Sequence, residues 1–450
     1  MLISGHRPFQ GREGERNVER FFKLADHGTS VRTEVIAGVT TFLTMAYIIF
    51  VNPDILSTTG MDRDAVFVAT CLAAALGSAI MGLWANWPIG MAPGMGLNAF
   101  FAFTVVGAMG FSWQQALGAV FISGLIFLFL SVTGIRRWLI AGIPASMRSA
   151  IAAGIGLFLA IIAMKSSGLI VASPATFVTL GDLTATGTLL TIAGFFIIAS
   201  LDALKVKGAI LIGILIITFA SILLGVTEFG GIMSAPPSIA PTFLQLDVMG
   251  ALSFGIFHVV LVMVLVEVFD ATGTLIGVAK RAGLLTEGPA HQNKGLSRAL
   301  MADSTAILAG SVLGTSSTTA YVESASGVAA GGRTGLTALI VAGLFLLAMF
   351  FAPLAGSVPV YATAPALLYV AGLMMRELTE IDFKDVTESA PAVLTAITMP
   401  FTYSIANGLA FGFVSYALLK LLTGRAREVH PATWLVAGLF VLKFAFFPEG

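Results

Sequence analysis

The hydrophobic positions of this chain come in long blocks rather than in alternation. Apolar runs fall near residues 33–52, 65–86, 97–109, 113–134, 145–165, 187–203, 207–226, 249–279, 297–313, 320–331, 334–355, 360–376, 388–402 and 404–423. A bilayer core of about 30 Å asks for roughly 20 apolar residues per helix, so the pattern predicts fourteen membrane segments. A further stretch, 432–447, is short and carries Lys443. It reads as a peripheral or partly inserted tail, with a fifteenth crossing as the alternative. Residues 1–32 are polar, hold Arg7, Arg12, Arg16, Arg20, Lys23 and Arg32, and lack an apolar leader core. An uncleaved, cytoplasmic N-terminus is the simplest expectation.

The basic residues agree with that orientation. With the N-terminus inside, the predicted cytoplasmic connections hold Arg136, Arg137, Arg148, Lys205, Lys207, Lys280, Arg281, Lys294, Arg298, Arg333, Arg376, Lys384, Arg425 and Arg427. The external loops hold only Arg63 and, at a helix end, Lys165. Excess Lys and Arg on the cytoplasmic side is the usual bias of membrane proteins.

Composition sharpens the class. The 450 residues include 24 Lys+Arg and 24 Asp+Glu, so charged residues are 11% of the chain, against about a quarter in soluble domains. That is too little charge to wet the surface of a soluble protein this long. The reading is an all-α polytopic protein of the cell membrane, with the lipid bilayer as its first partner. A net charge of zero removes the basic excess of a nucleic-acid binder. One cysteine, Cys71, excludes a disulfide framework or a thiolate metal cluster. The five His show no metal-binding spacing, and no Ser-His-Asp arrangement appears. Neither an enzyme nor a cofactor is expected.

Segments 1–7 and 8–14 match in outline. Ile143-Pro144 opens the fifth and Val358-Pro359 the twelfth. Seven is odd, so two successive seven-span halves would have inverted topology. The third and tenth segments are interrupted. Residues 88–98 read Pro-Ile-Gly-Met-Ala-Pro-Gly-Met-Gly-Leu-Asn, and 314–319 read Gly-Thr-Ser-Ser-Thr-Thr. Neither stretch suits an uninterrupted helix. Irregular backbone at membrane depth is tolerated only where protein or a wet cavity satisfies it. Two such breaks in corresponding positions point to a binding site at the midplane.

Acids stand where charge is hard to accommodate. Glu267 lies 14 residues from Ser253 and 12 from Ala279, near mid-bilayer. Asp270 follows three residues later, on the same helix face, and neither has a basic residue in its span before Lys280. Glu323 follows the second break. Such groups are either protonated or paired, and they suit proton loading and release. Asp303 and His258 are weaker candidates near helix ends. Asn98 closes the first break, where a half-helix of residues 98–109 is expected, and its amide offers both donor and acceptor. A flat heterocycle with ring N–H groups and a carbonyl or amine needs that mixture. Thr319 of the second break joins the candidate set. Phe100 and Phe101 offer a stacking face, with lipid or core packing as the competing role.

Three motifs then resemble the AzgA-like purine permeases, a branch of the nucleobase–ascorbate transporter superfamily. They are Ala92-Pro-Gly-Met-Gly-Leu-Asn98-Ala-Phe100, Glu267-Val-Phe-Asp270-Ala-Thr-Gly-Thr, and Gly314-Thr-Ser-Ser-Thr-Thr-Ala-Tyr-Val-Glu323-Ser-Ala-Ser-Gly327. The likeness runs from about Phe21 to Pro448 and includes Thr40-Thr-Phe-Leu-Thr-Met-Ala-Tyr-Ile and Glu428-Val-His-Pro. It implies a 7+7 inverted repeat in which segments 3 and 10 are each a short strand plus a half-helix. Residues 33–134 and 249–356 would form a core domain, and 135–248 and 357–423 a gate domain. Residues 1–32 and 424–450 would be terminal segments. The resemblance implies import of hypoxanthine, guanine or adenine with protons, often as a homodimer. Asn98, Glu267 and Glu323 would match substrate-site positions, with Asp270 the second acid of segment 8. Glu323 is followed by Ser324, unlike the pattern of the xanthine and uracil branches. That favours the other purines. An uncoupled facilitator and an anion transporter of the related sulfate/bicarbonate fold are the competing classes. The core is expected to slide past a glycine face of helix 5, at Gly154 and Gly156.

Overall fold

The computed structural model describes residues 13–252, 257–285 and 294–446. The chain starts with α1 (Glu13–Phe22), then α2 (Val31–Met45), α3 (Ile48–Ser57) and α4 (Arg63–Ile80), which winds on through Ala85. Each start has a sequence cause. Ser30 caps α2 by accepting from the Thr33 N–H, and Asp62 caps α4 by accepting from that of Ala65. Strand β1 (Met91–Pro93) leads into α5 (Met95–Ala99), which continues as a wider, π-type winding to Ala108. Next come α6 (Trp113–Thr133), opened by a Ser112–Gln115 capping box, the short α7 (Ile135–Gly142) and α8 (Ala145–Ser166). A hairpin of β2 (Ile170–Ser173) and β3 (Phe177–Leu180) precedes α9 (Thr186–Ala203) and α10 (Ala209–Leu223).

The second half repeats the sequence of breaks. α11 (Val248–Ala251) and α12 (Phe257–Arg281) are followed by α13 (Lys294–Leu313). Strand β4 (Thr318–Ala320) leads into α14 (Ser324–Ala329). Then come α15 (Gly335–Ala348), α16 (Ala352–Gly356), α17 (Val360–Met374), α18 (Val386–Phe401), α19 (Ile405–Leu422) and α20 (Pro431–Phe446). Among the described residues, eight helices are long and apolar enough to cross a membrane. The remaining apolar runs are short, interrupted or, like α13 with Asp303, polar in part.

Packing interleaves the halves. α4 lies against α13 and α15, α2 against α14 and α15, and α6 against α12 and α13. A second group joins α8 to α17 and α18, and α9 to α10 and α17. Strands β1 and β4 pair antiparallel, Met91 opposite Ala320, Ala92 opposite Thr319 and Pro93 opposite Thr318. Each strand supplies the other's backbone partners in the protein interior, so the interruptions of segments 3 and 10 satisfy one another. Gly94 N–H donating to Ser317 O and Tyr321 N–H donating to Gly90 O extend the crossing at 2.9 and 3.0 Å.

Several expectations change. The first half-helix starts at Met95, with Gly94 at its cap, so Asn98 lies within its first turn rather than at its start. The 432–447 tail is helical as α20, packed on α19 and α7, with Lys443 buried. Gly154 and Gly156 do not face the group of segments 1–4 and 8–11. A Cβ on Gly154 would meet Met399 Sδ at 2.6 Å, and one on Gly156 would meet Met374 Cβ at 2.8 Å. These are neighbours in α18 and α17, so both glycines close packing within their own group. Ile155, between them, touches Gly96 of α5: a Cβ there would lie 2.8 Å from Ile155 Cγ2. Where α18 starts and α19 ends, Arg425 binds Asp385 and Glu428, and Lys420 binds Glu388 and Glu428. The Thr387 hydroxyl and the Arg425 guanidinium hold the Asp385 carboxyl well below its ordinary range.

Candidate functional site

The β1–β4 crossing brings Asn98 and Glu267 to adjacent residues of one strand approach. Asn98 is fully enclosed. Its Oδ1 accepts a short hydrogen bond from the Ser316 hydroxyl. Its Nδ2 has no hydrogen-bond partner among the described residues. Glu267, also fully enclosed, accepts at Oε1 from Ser317 Oγ (2.8 Å) and Ser123 Oγ (3.2 Å). Its Oε2 has no partner among the described residues. The centre therefore presents an unused donor on Asn98 and an unused acceptor on Glu267, near the Thr318 and Thr319 hydroxyls and Asp303 Oδ1, likewise unpartnered among the described residues. Buried polar atoms are nearly always paired, which makes this cluster the candidate site.

Glu34 shows what a purely structural acid looks like here. It is as buried as Glu267, yet it accepts from the N–H groups of Arg333, Thr334 and Thr337 and from the Thr337 hydroxyl. It caps the start of α15 and leaves neither oxygen unused.

Thr319 sits in β4 opposite Ala92, almost fully buried. Phe100 is fully buried in the apolar core behind Asn98. Glu323 lies immediately before α14 and is only half-buried, its Oε1 accepting from the Tyr47 hydroxyl at 2.7 Å. The Asp270 and His258 side chains fall outside the described residues.

One expectation about charge is overturned. The interior does contain a basic group. Arg136, assigned from sequence to a cytoplasmic connection, is fully buried and pairs with the equally buried Asp303 at 3.2 Å. The guanidinium also donates to Leu300 O and Ser131 Oγ and lies 3.8 Å from the centroid of the Phe127 ring. Ser316, Ser317 and Tyr47 lie in stretches that the sequence singled out, but nothing local assigned them a partner; Ser123 and Arg136 carry no local mark. Ser and Thr are common throughout the chain, and an Arg beside a loop is ordinarily solvated.

The outer ends of the two packing groups also touch. Asp54 of α3 accepts from Arg63 (2.7 Å) and from Thr363 Oγ1 of α17 (2.9 Å), and Arg63 reaches Val358 O (3.2 Å). Thr104 donates to Tyr403 O at 3.1 Å.

Residues 32–411 match the model of a permease family, Xan_ur_permease. The chain is 51% identical to the adenine permease AdeP of Escherichia coli, over 96% of this chain and 97% of that one. It is 46% identical to the guanine/hypoxanthine permease PbuG of Bacillus subtilis, over 95% of this chain and the whole of that one. Among solved structures, the transmembrane domain of the cyanobacterial bicarbonate transporter BicA matches with TM-score 0.64 at 18% identity, covering 84% of this chain and 96% of that one. That likeness is one of fold. With nearly its full length matched to these relatives and its three motifs in order, the chain belongs to this family of membrane permeases, which are transport proteins and not enzymes.

Proposed function

We propose that this permease imports purine nucleobases together with protons by alternating access. The observation that carries the reading is the unused pair at the centre, Asn98 Nδ2 and Glu267 Oε2. A neutral purine offers ring-nitrogen acceptors and N–H donors in one plane, which answers both. The names of the relatives, an adenine permease and a guanine/hypoxanthine permease, support the same class.

In this reading Asn98, Glu267, Glu323 and Thr319 meet the base, and Phe100 forms a wall of the site. Glu267, enclosed and holding one oxygen in reserve, carries the coupling proton, with Asp270 and Glu323 as the other acids of the relay. No cofactor besides the proton takes part. The architecture is fourteen segments in a 7+7 inverted repeat. A core of segments 1–4 and 8–11 moves against a gate of segments 5–7 and 12–14. The N-terminus is cytoplasmic, the location is the cell membrane, and two copies associate through the gate.

Uptake of radiolabelled hypoxanthine, guanine, adenine, xanthine and uracil, each at two external pH values, tests this. We expect accumulation of one or more of the first three, faster at the lower external pH because inward protons drive it. Accumulation of xanthine or uracil alone would sink the purine assignment. Uptake that equilibrates without accumulating, equally at both pH values, would show an uncoupled facilitator.

A further inference from the structure

The first membrane segment winds irregularly at its middle, its backbone staying right-handed helical. α2 ends at Met45 and α3 begins at Ile48, and Tyr47 lies in the turn between them. Its ring is 1% exposed. From that buried position the hydroxyl donates to Glu323 Oε1 at 2.7 Å. The end of α2 reaches the same residue again, with the Thr44 hydroxyl 3.5 Å from Glu323 O. Two residues 276 positions apart in sequence are thus clamped at the mouth of the second break.

The surroundings of Glu323 make that contact consequential. The carboxylate stands ahead of a helix of only six residues and beside Val322, which is 61% exposed. The Tyr47 hydroxyl is the one side-chain donor it has among the described residues. Without such a donor, a glutamate side chain turns freely about three bonds. A phenol on an immobile ring fixes one oxygen, and planarity of the carboxylate then fixes the other. Phenol-to-carboxylate bonds of this length are of the charge-assisted, stronger kind.

We propose that Tyr47 is the positioning residue of Glu323: it occupies Oε1 and thereby aims Oε2 at an N–H group of the bound purine. The proposal rests on the reading of Glu323 as a base-binding acid. It gives the irregular turn at Ala46 and Tyr47 a task at the site.

The test is a double-mutant cycle on purified protein, with adenine and hypoxanthine as ligands and calorimetry as the readout. Tyr47→Phe keeps the ring and its packing, so the melting temperature should hardly change. Purine binding should weaken about tenfold or more, the loss of a hydrogen bond to a charged group. The decisive quantity is coupling. Because Tyr47 acts through Glu323, adding Tyr47→Phe to Glu323→Gln should change affinity by no more than about twofold. Independent, multiplying losses would overturn the proposal, as would wild-type affinity in Tyr47→Phe. If Glu323→Gln binds too weakly to measure, N-methylated purines decide instead. Tyr47→Phe should then relax discrimination against methylation at one ring nitrogen, whereas uniform weakening across all analogues would overturn the positioning role. Full affinity in Glu323→Gln would remove the carboxylate from the site, and that failure belongs to the underlying reading. A normal Glu323 effect with an additive Tyr47 effect fails the positioning role alone.

Discussion

Asn98 and Glu34 are both fully buried polar residues, and the difference between them is what each leaves unused. Glu34 meets four donors, so neither oxygen is left unused and its role ends with the start of α15. Asn98 spends its oxygen on Ser316 and keeps its nitrogen. Losing a matched buried hydrogen bond costs about 1–3 kcal/mol. Asn98→Ala is therefore expected to weaken purine binding roughly 5- to 150-fold, as measured by calorimetry on folded protein; unchanged affinity would place Asn98 outside the site. Glu267→Gln keeps shape and one hydrogen-bonding end but cannot titrate. In vesicles it should lose accumulation driven by a pH gradient while retaining exchange of labelled for unlabelled base. Continued accumulation would move coupling to Asp270 or Glu323. These acids were legible in sequence because an ionisable group in an apolar run is rare and needs a reason. Their partners were not, since Ser123, Ser316 and Ser317 belong to residue types found everywhere in the chain.

At the scale of the element, apolar runs and proline or glycine interruptions located the helices and both breaks, because membrane thickness and backbone satisfaction leave few other solutions. Which face of a helix meets which neighbour was not legible. α8 is buried around much of its circumference, including Gly154, Ile155 and Gly156 in succession, so no amphipathic stripe tells one side from another. The geometry moves the sensitive position to Gly96, whose missing Cβ lets α5 lie against Ile155. Gly96→Ala should slow transport several-fold, measured as initial uptake at saturating purine, by forcing these elements apart. Removing the opposing methyl groups with Ile155→Ala in the same protein should restore much of the rate. No recovery in the double variant would mean that this contact does not limit movement. Gly156→Trp, by contrast, should disrupt packing of α8 on α17 and lower thermal stability, since its neighbours are Met374 and Ala371.

For the molecule as a whole, the sequence marked two interruptions in corresponding positions, but not how deeply the elements around them interleave. The register of residues 91–93 on 318–320 was not legible. Pairing of strands is a long-range choice, made by the packing of α4, α13 and α15 around them. The same interleaving governs the outer contacts, where Asp54 of the first half meets Thr363 of the second. The β1–β4 crossing also has a consequence for biosynthesis. More than two hundred residues separate its strands, and a ribosome adds about 5–20 residues per second. For roughly 10–45 s of each synthesis, the Met91–Pro93 backbone is without its partner strand while helices α6 to α13 are being laid down. A nascent chain stalled before Thr318 would therefore be a target for membrane quality control however well its helices had inserted, and the crossing cannot close until the second strand itself has been made.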